Sequence, residues 1–163
     1  MAENLENSYV DLIKAHEGII HKVIGLYVDL DEDKKDLKQE IMLQGWQSFQ
    51  NFKGASQFST WLYKVSLNTV LNFRKRQVPI EDLDQAKNLR TSNETSNLED
   101  HELLFLVIRK LSEIDRMLMT LHLEGYKNIE IAEITGMTQN HINVKLHRIK
   151  QTVIENFKTF QNG

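Results

Sequence analysis

Six side chains between residues 61 and 76 share one chemistry. On a 3.6-residue period, Trp61, Lys64, Asn68, Asn72, and Lys75 or Arg76 follow a single helical face: one indole, two amides and several cations, with no carboxylate among them. Single-stranded nucleic acid favours such a face, because bases stack on aromatic rings for roughly 1–3 kcal/mol each while cations and amides meet phosphates and base edges. Tyr63 reads as core, and Trp61 fits either core packing or base stacking. A second set lies near the C-terminus. With Ile142, Leu146 and Ile149 turned inward, Gln139, Asn140, Asn143, Lys145, His147 and Arg148 are left outward. All of these can hydrogen-bond, and a helix carrying them fits the width of the major groove of duplex DNA.

Other chemistries lack their residues. The chain has no cysteine, which removes disulfides, thiolate metal sites and cysteine nucleophiles. In HEGIIH, His16 and His21 are five apart, about 140° around a helix, whereas metal-binding pairs sit four apart on one face. His141 and His147 are no better spaced. No glycine-rich phosphate loop or nucleophile motif occurs, so neither catalytic residues nor a metal or cofactor is expected.

Charge is distributed unevenly. Of a total of -3, Ile41 to Ile80 carries +5 with no acid and Ile134 to Ile154 carries +3 with no acid, leaving -11 on the rest. Two cationic stretches in an acidic body suggest two surfaces that meet a polyanion. No long apolar run and no cleavable leader precede them in a chain that begins MAENLENS, so a cytoplasmic protein without membrane insertion is expected.

The elements that position these residues are helical throughout. Apolar residues recur at three-and-four spacing, Pro79 is the single proline, and no alternating strand is evident. A first helix is predicted over about Ser8–Val28, with Val10, Ile13, Ile20, Val23 and Tyr27 inward. DLDED should cap a second over Asp33–Phe49, with Leu37, Ile41, Gly45 and Phe49 on one face. Ser56 or Ser59 can cap the third, FSTWLYKVSLNTVLNFRKRQ, whose apolar face is Phe58, Leu62, Val65, Thr69 and Phe73. Residues 77–97 are acidic and poor in large apolar side chains, and read as a linker. Beyond it come a helix over about Leu98–Leu111, one opening at the capping box SEID and ending at Gly125, and one from Asn128 to Gly136. A last helix is capped by Thr138 and carries the stripe Ile142, Leu146, Ile149, Val153 and Phe157. Ala132, Gly136 and Ile142 have the spacing of a helix-turn-helix. The fold class is all-α, with two small helical domains, 1–76 and 98–163, joined by the linker.

Two blocks carry a family resemblance. DLKQEIMLQGWQSFQNFKGASQFSTWLYKVSLNTVLNFRKR resembles conserved region two of bacterial RNA polymerase sigma factors, and LSEIDRMLMTLHLEGYKNIEIAEITGMTQNHINVKLHRIK resembles region four. The pair with only a short linker is similar to the extracytoplasmic-function (ECF) class. The resemblance implies an alternative sigma factor that binds core RNA polymerase and promoter DNA. Asp36, Leu37, Gln39, Glu40, Leu43 and Trp46 would then dock on core polymerase. The loop Asn51–Gln57, with Lys53 and Ser56, would take a flipped base of the minus-ten element, and Trp61, Lys64, Asn68, Asn72, Arg74 and Arg76 would meet the unpaired strand. Gln139, Asn140, Asn143, Val144, Lys145, His147 and Arg148 would read the minus-thirty-five duplex. Asn143 and Val144 stand where members often carry a basic residue and serine; an asparagine can pair bidentately with adenine and a valine can meet a thymine methyl, which implies altered base preference. An anti-sigma factor is a further implied partner, although no residue identifies it. The rival readings are a helix-turn-helix regulator acting on duplex operator without polymerase, and an enzyme.

Overall fold

The computed structural model describes residues 1–77 and 99–163. The chain divides into two compact units, Met1–Ile80 and Glu81–Gly163. The described residues form eight α-helices and no strand: α1 (Ala2–Ala15), α2 (Glu17–Tyr27), α3 (Asp31–Phe49) and α4 (Phe58–Gln77), then α5 (Asp100–Arg109), α6 (Glu113–Leu123), α7 (Asn128–Thr135) and α8 (Gln139–Asn162). Of the expected linker, only Gln77 is described, as the last residue of α4; the remainder lies outside the described residues.

In the first unit α4 is the central helix, packed against both α2 and α3. Its Leu62, Tyr63, Leu67 and Val70 are buried, and Ser66 is small enough to be fully enclosed with them. The expected face of α4 is therefore only part of the buried surface: Leu62 and Thr69 are buried, whereas Phe58, Val65 and Phe73 are half-buried. On α3, Leu37, Ile41, Gly45 and Phe49 all point inward as the spacing predicts.

Three local expectations are corrected. The predicted first helix is two helices. His16 leaves helical geometry at φ -119°, ψ 16°, and its ring Nδ1 lies 2.9 Å from the Leu12 carbonyl of its own helix. Apolar spacing continues through the break, so periodicity alone conceals it. With α1 re-aimed, Tyr9 and Ile13 are buried and Val10 is exposed. Helix α3 begins two residues before Asp33; Leu30 occupies the cap position without a side-chain bond, and Asp31, Glu32 and Asp33 stand in the first turn, where carboxylates favourably meet the helix dipole. In α4, Ser59 lies within the first turn, and the Gln57 carbonyl accepts from the Trp61 N–H at 3.1 Å.

The second unit follows its cap signals closely. Ser112 accepts a bond from the Asp115 N–H at 3.3 Å, and Thr138 from the His141 N–H at 3.2 Å. The Lys127 N–H donates to the Glu130 carboxylate at 2.7 Å, closing the start of α7. Gly136 ends α7 at φ 75°, a left-handed conformation in which a side chain is strained. Ile142, Leu146, Ile149 and Val153 are buried, while Phe157 is half-buried. Arg116, which the periodicity does not single out, is 7% exposed. Its guanidinium donates to the carbonyls of Arg109, in the last turn of α5, and of Leu111, at 3.1 Å from the latter. It thereby ties α6 to the end of α5.

Candidate nucleic-acid interface

Helix α4 brings Lys64, Asn68, Asn72 and Arg76 to its exposed side as a row with strict four-residue spacing. Asn68, Asn72 and Arg76 line a groove of about 430 Å3 whose opposite wall is Glu40, Gln44 and Ser48 of α3. The acid-free stretch of sequence is thus not free of acid in space: Arg76 lies 3.5 Å from the Glu40 carboxylate, an exposed pair of small energetic weight.

At the start of the same helix, Trp61 is half-buried among rings, with centroids 6.0 Å from Phe49, 5.3 Å from Phe52 and 5.2 Å from Phe58. The indole is anchored but not sealed. The loop before it places Lys53 in solvent and leaves Ser56 half-buried, turning at Gly54 with φ 72°. Arg74 departs from the expected strand-facing set. It is half-buried, and its guanidinium donates to the Tyr27 carbonyl at 2.6 Å, pinning the end of α2 to the end of α4.

The expected polymerase-facing residues of α3 separate by register. Asp36, Gln39 and Leu43 are exposed, Leu43 at 55%. Leu37 is corrected: at 1% exposure it is a core residue, because it sits four before Ile41 on the inward stripe. Glu40 faces the α4 groove. Trp46 is half-buried against Tyr9, with ring centroids 5.4 Å apart. Tyr9 itself, absent from the sequence-based list, donates its phenol to the Met42 carbonyl at 2.7 Å, and burial pushes that phenol up to about 12. Gly45 provides the space, since a Cβ there would come within 2.4 Å of the Tyr9 oxygen.

In the second unit, Gln139, Asn140, Asn143, Val144, His147 and Arg148 are exposed on α8, as the inward stripe requires. Lys145 is half-buried and lies 3.3 Å from the Asp115 carboxylate, so α6 holds its ammonium. Asn143 is bridged to Asn128 at the start of α7. Beside Lys145, a hollow of about 300 Å3 is lined in part by His141, Val144 and Arg148. Among the described residues there is no group of three or more His, Asp or Glu able to hold a metal ion, and no helix long and apolar enough to cross a membrane.

Comparison with known proteins joins these two surfaces. The Sigma-70 region 2 family matches residues 12–80, and the Sigma-70, region 4 family matches residues 101–153. The ECF RNA polymerase sigma-E factor of Escherichia coli strain K12 is 30% identical over 152 aligned residues, covering 82% of this chain and 79% of the relative. The chain belongs to the ECF RNA polymerase sigma factors. The sigma-E factor of Haemophilus influenzae is 32% identical over 155 residues, covering 83% of this chain and 81% of its own. Among solved structures, the fold matches the sigma factor RpoE of Bartonella quintana, crystallised with the anti-sigma factor NepR, with a TM-score of 0.66 at 16% identity, covering 96% of this chain and 98% of that one. It also matches CnrH in complex with the cytosolic domain of CnrY, with a TM-score of 0.67 at 14% identity over 94% and 90% of the two chains. As an ECF sigma factor, the protein is an alternative sigma factor that binds core polymerase and promoter DNA and directs transcription initiation. Sigma factors are generally non-enzymatic regulators of transcription.

Proposed function

We propose that this sigma factor opens promoters by holding the melted strand on α4 while α8 reads closed duplex. The observation that carries the reading is the exposed row Lys64, Asn68, Asn72 and Arg76, which continues from the half-exposed Trp61. A duplex-reading helix has no need of an indole, whereas an unpaired strand gains stacking from Trp61 and backbone neutralisation from the cations. Lys53 and Ser56 belong to the loop beside the strand, where an extruded base would be received. Arg74 acts structurally and is left out of the strand contacts.

On α3, Asp36, Gln39 and Leu43 form the centre of the polymerase-docking face, with Glu40 and Trp46 at its edges. In the second unit, Gln139, Asn140, Asn143, Val144, His147 and Arg148 meet the minus-thirty-five duplex, and Lys145 shares its charge with Asp115. The mechanism is non-catalytic and the site of action is the cytoplasm. An anti-sigma factor covering these same faces is the natural regulator for a member of this class. The earlier rival, a regulator acting on duplex alone, gives no role to the amide row.

The test uses holoenzyme reconstituted with core polymerase and a promoter carrying a fluorescent base analogue in the non-template minus-ten strand. Trp61→Ala and Asn68→Ala/Asn72→Ala should each lower the opening equilibrium by about tenfold, in line with roughly 1–3 kcal/mol per stacked base. Polymerase assembly should be unchanged. Normal opening in both variants would overturn the strand assignment.

A further inference from the structure

An asparagine in the major groove is ambiguous until its amide orientation is fixed. The carbonyl oxygen accepts, the amino group donates, and rotating the amide exchanges the two. Here the orientation has a partner. Asn128, the first residue of α7, donates its Nδ2 to the Oδ1 of Asn143, fifteen residues on and in the second turn of α8. Asn143 is exposed and Asn128 half-buried on the helix-turn-helix, and both helices are positioned independently of the pair: Gly136 sets the turn, and Ile131, Ile134 and Ile142 are buried between them.

We infer that Asn128 is a specificity-positioning residue, which fixes Asn143 as a donor and directs it to guanine in the minus-thirty-five element. The inference rests on the reading of α8 as the duplex-reading helix. With its Oδ1 engaged by Asn128, Asn143 presents its Nδ2 hydrogens to the groove. In the major groove guanine offers two acceptors, N7 and O6, whereas thymine offers one, O4, beside its methyl group, adenine one acceptor beside an amino donor, and cytosine an amino donor. An amide turned to the groove through its amino group therefore matches guanine best. This replaces the sequence-based expectation of bidentate adenine pairing, which requires the Asn143 oxygen and nitrogen both to face the base.

Within its own turn, no other group duplicates the role. Lys145 is held by Asp115, and Val144, exposed at 46%, has no donor to offer. Asn143 is thus the orientable hydrogen-bonding group in this turn of α8, and its bias comes from a residue that need not touch a base.

The test is transcription in vitro with reconstituted holoenzyme on a promoter library randomised across the minus-thirty-five element, with transcripts counted by sequencing. For the unaltered protein, one position should favour guanine over adenine by about tenfold, and Asn143→Ala should abolish that preference at that position alone. Asn128→Asp replaces a donor by a group that only accepts, so Asn143 must turn its amino group toward the new carboxylate and its oxygen toward the base. Preference at the same position should then reverse toward adenine or cytosine, whatever the added charge does to total output. Asn128→Ala frees the amide, and adenine should rise to within about twofold of guanine. Circular dichroism confirms that each variant is folded. Identical base preferences for the unaltered protein, Asn128→Ala and Asn128→Asp would overturn the inference, as would an unchanged profile in Asn143→Ala. If the unaltered holoenzyme yields no promoter-specific transcript, the duplex-reading assignment itself fails and takes the inference with it.

Discussion

Replacing Gly45 by alanine tests how α1 is attached to α3. In the middle of an exposed helix the change would stabilise by about 1 kcal/mol through helix propensity alone. At this position the new Cβ would lie 2.4 Å from the Tyr9 oxygen, so the phenol must move by about 1 Å to reach ordinary contact. Overpacking of this kind costs about 1–3 kcal/mol. Displacement also strains or breaks the Tyr9 bond to the Met42 carbonyl, worth about 0.5–1.5 kcal/mol. At the middle of these ranges the balance is a net loss of about 2 kcal/mol. Trp46 and Trp61 are the only tryptophans and both lie in the first unit, so tryptophan fluorescence during urea unfolding of the full chain reports that unit selectively. With a slope of about 1 kcal/mol/M, the midpoint should fall by about 2 M. In a Tyr9→Phe background the sign should change, because the nearest remaining atom is the ring carbon at 3.4 Å, an ordinary contact. A Gly45→Ala midpoint that rises in the unaltered protein, or an equal effect in both backgrounds, would refute the argument.

Three further outcomes follow from the geometry. Arg116→Met leaves the carbonyls of Arg109 and Leu111 without their donor and should cost the second unit about 2–4 kcal/mol; the unfolding transition seen by circular dichroism should move while the tryptophan-detected transition stays in place. The Tyr9 phenol titrates near 10 when unfolded and at about 12 when folded, so the unfolded chain releases its proton first: stability is intact below pH 10 and declines as pH rises toward 12, a component that Tyr9→Phe should lack in alkaline unfolding curves. Arg74→Ala should destabilise the first unit by about 1–2 kcal/mol through loss of the Tyr27 tether, yet weaken strand binding by holoenzyme less than Arg76→Ala does.

Much of this architecture was legible in the residues, for identifiable reasons. Caps and stripes are local signals, so Ser112, Thr138, Gly136 and the Ile142-to-Val153 stripe could be read without tertiary information. The exposed row on α4 was equally readable, since four-residue spacing fixes a face. What escaped was set by contacts distant in sequence. Glu40 enters the α4 groove from α3, 36 residues before its partner Arg76. Lys145 is claimed by Asp115, 30 residues earlier, and Arg74 by the Tyr27 carbonyl, 47 residues earlier. A cation in sequence looks free until the fold supplies its acceptor. Leu37 was misassigned for a simpler reason: the motif that suggests docking and the stripe that builds the core overlap on one helix, and burial resolves the conflict. The break at His16 left no mark on apolar spacing, so only the backbone reveals it.

Run-off transcription on a genomic promoter pool with core polymerase, with and without the protein, asks whether this chain places strand-holding and duplex-reading surfaces on promoter DNA as part of a polymerase. New, discrete start sites that require both components should appear, with no specific duplex shift by the protein alone. Absence of new start sites, together with a sequence-specific shift of closed duplex by the isolated protein, would contradict that placement.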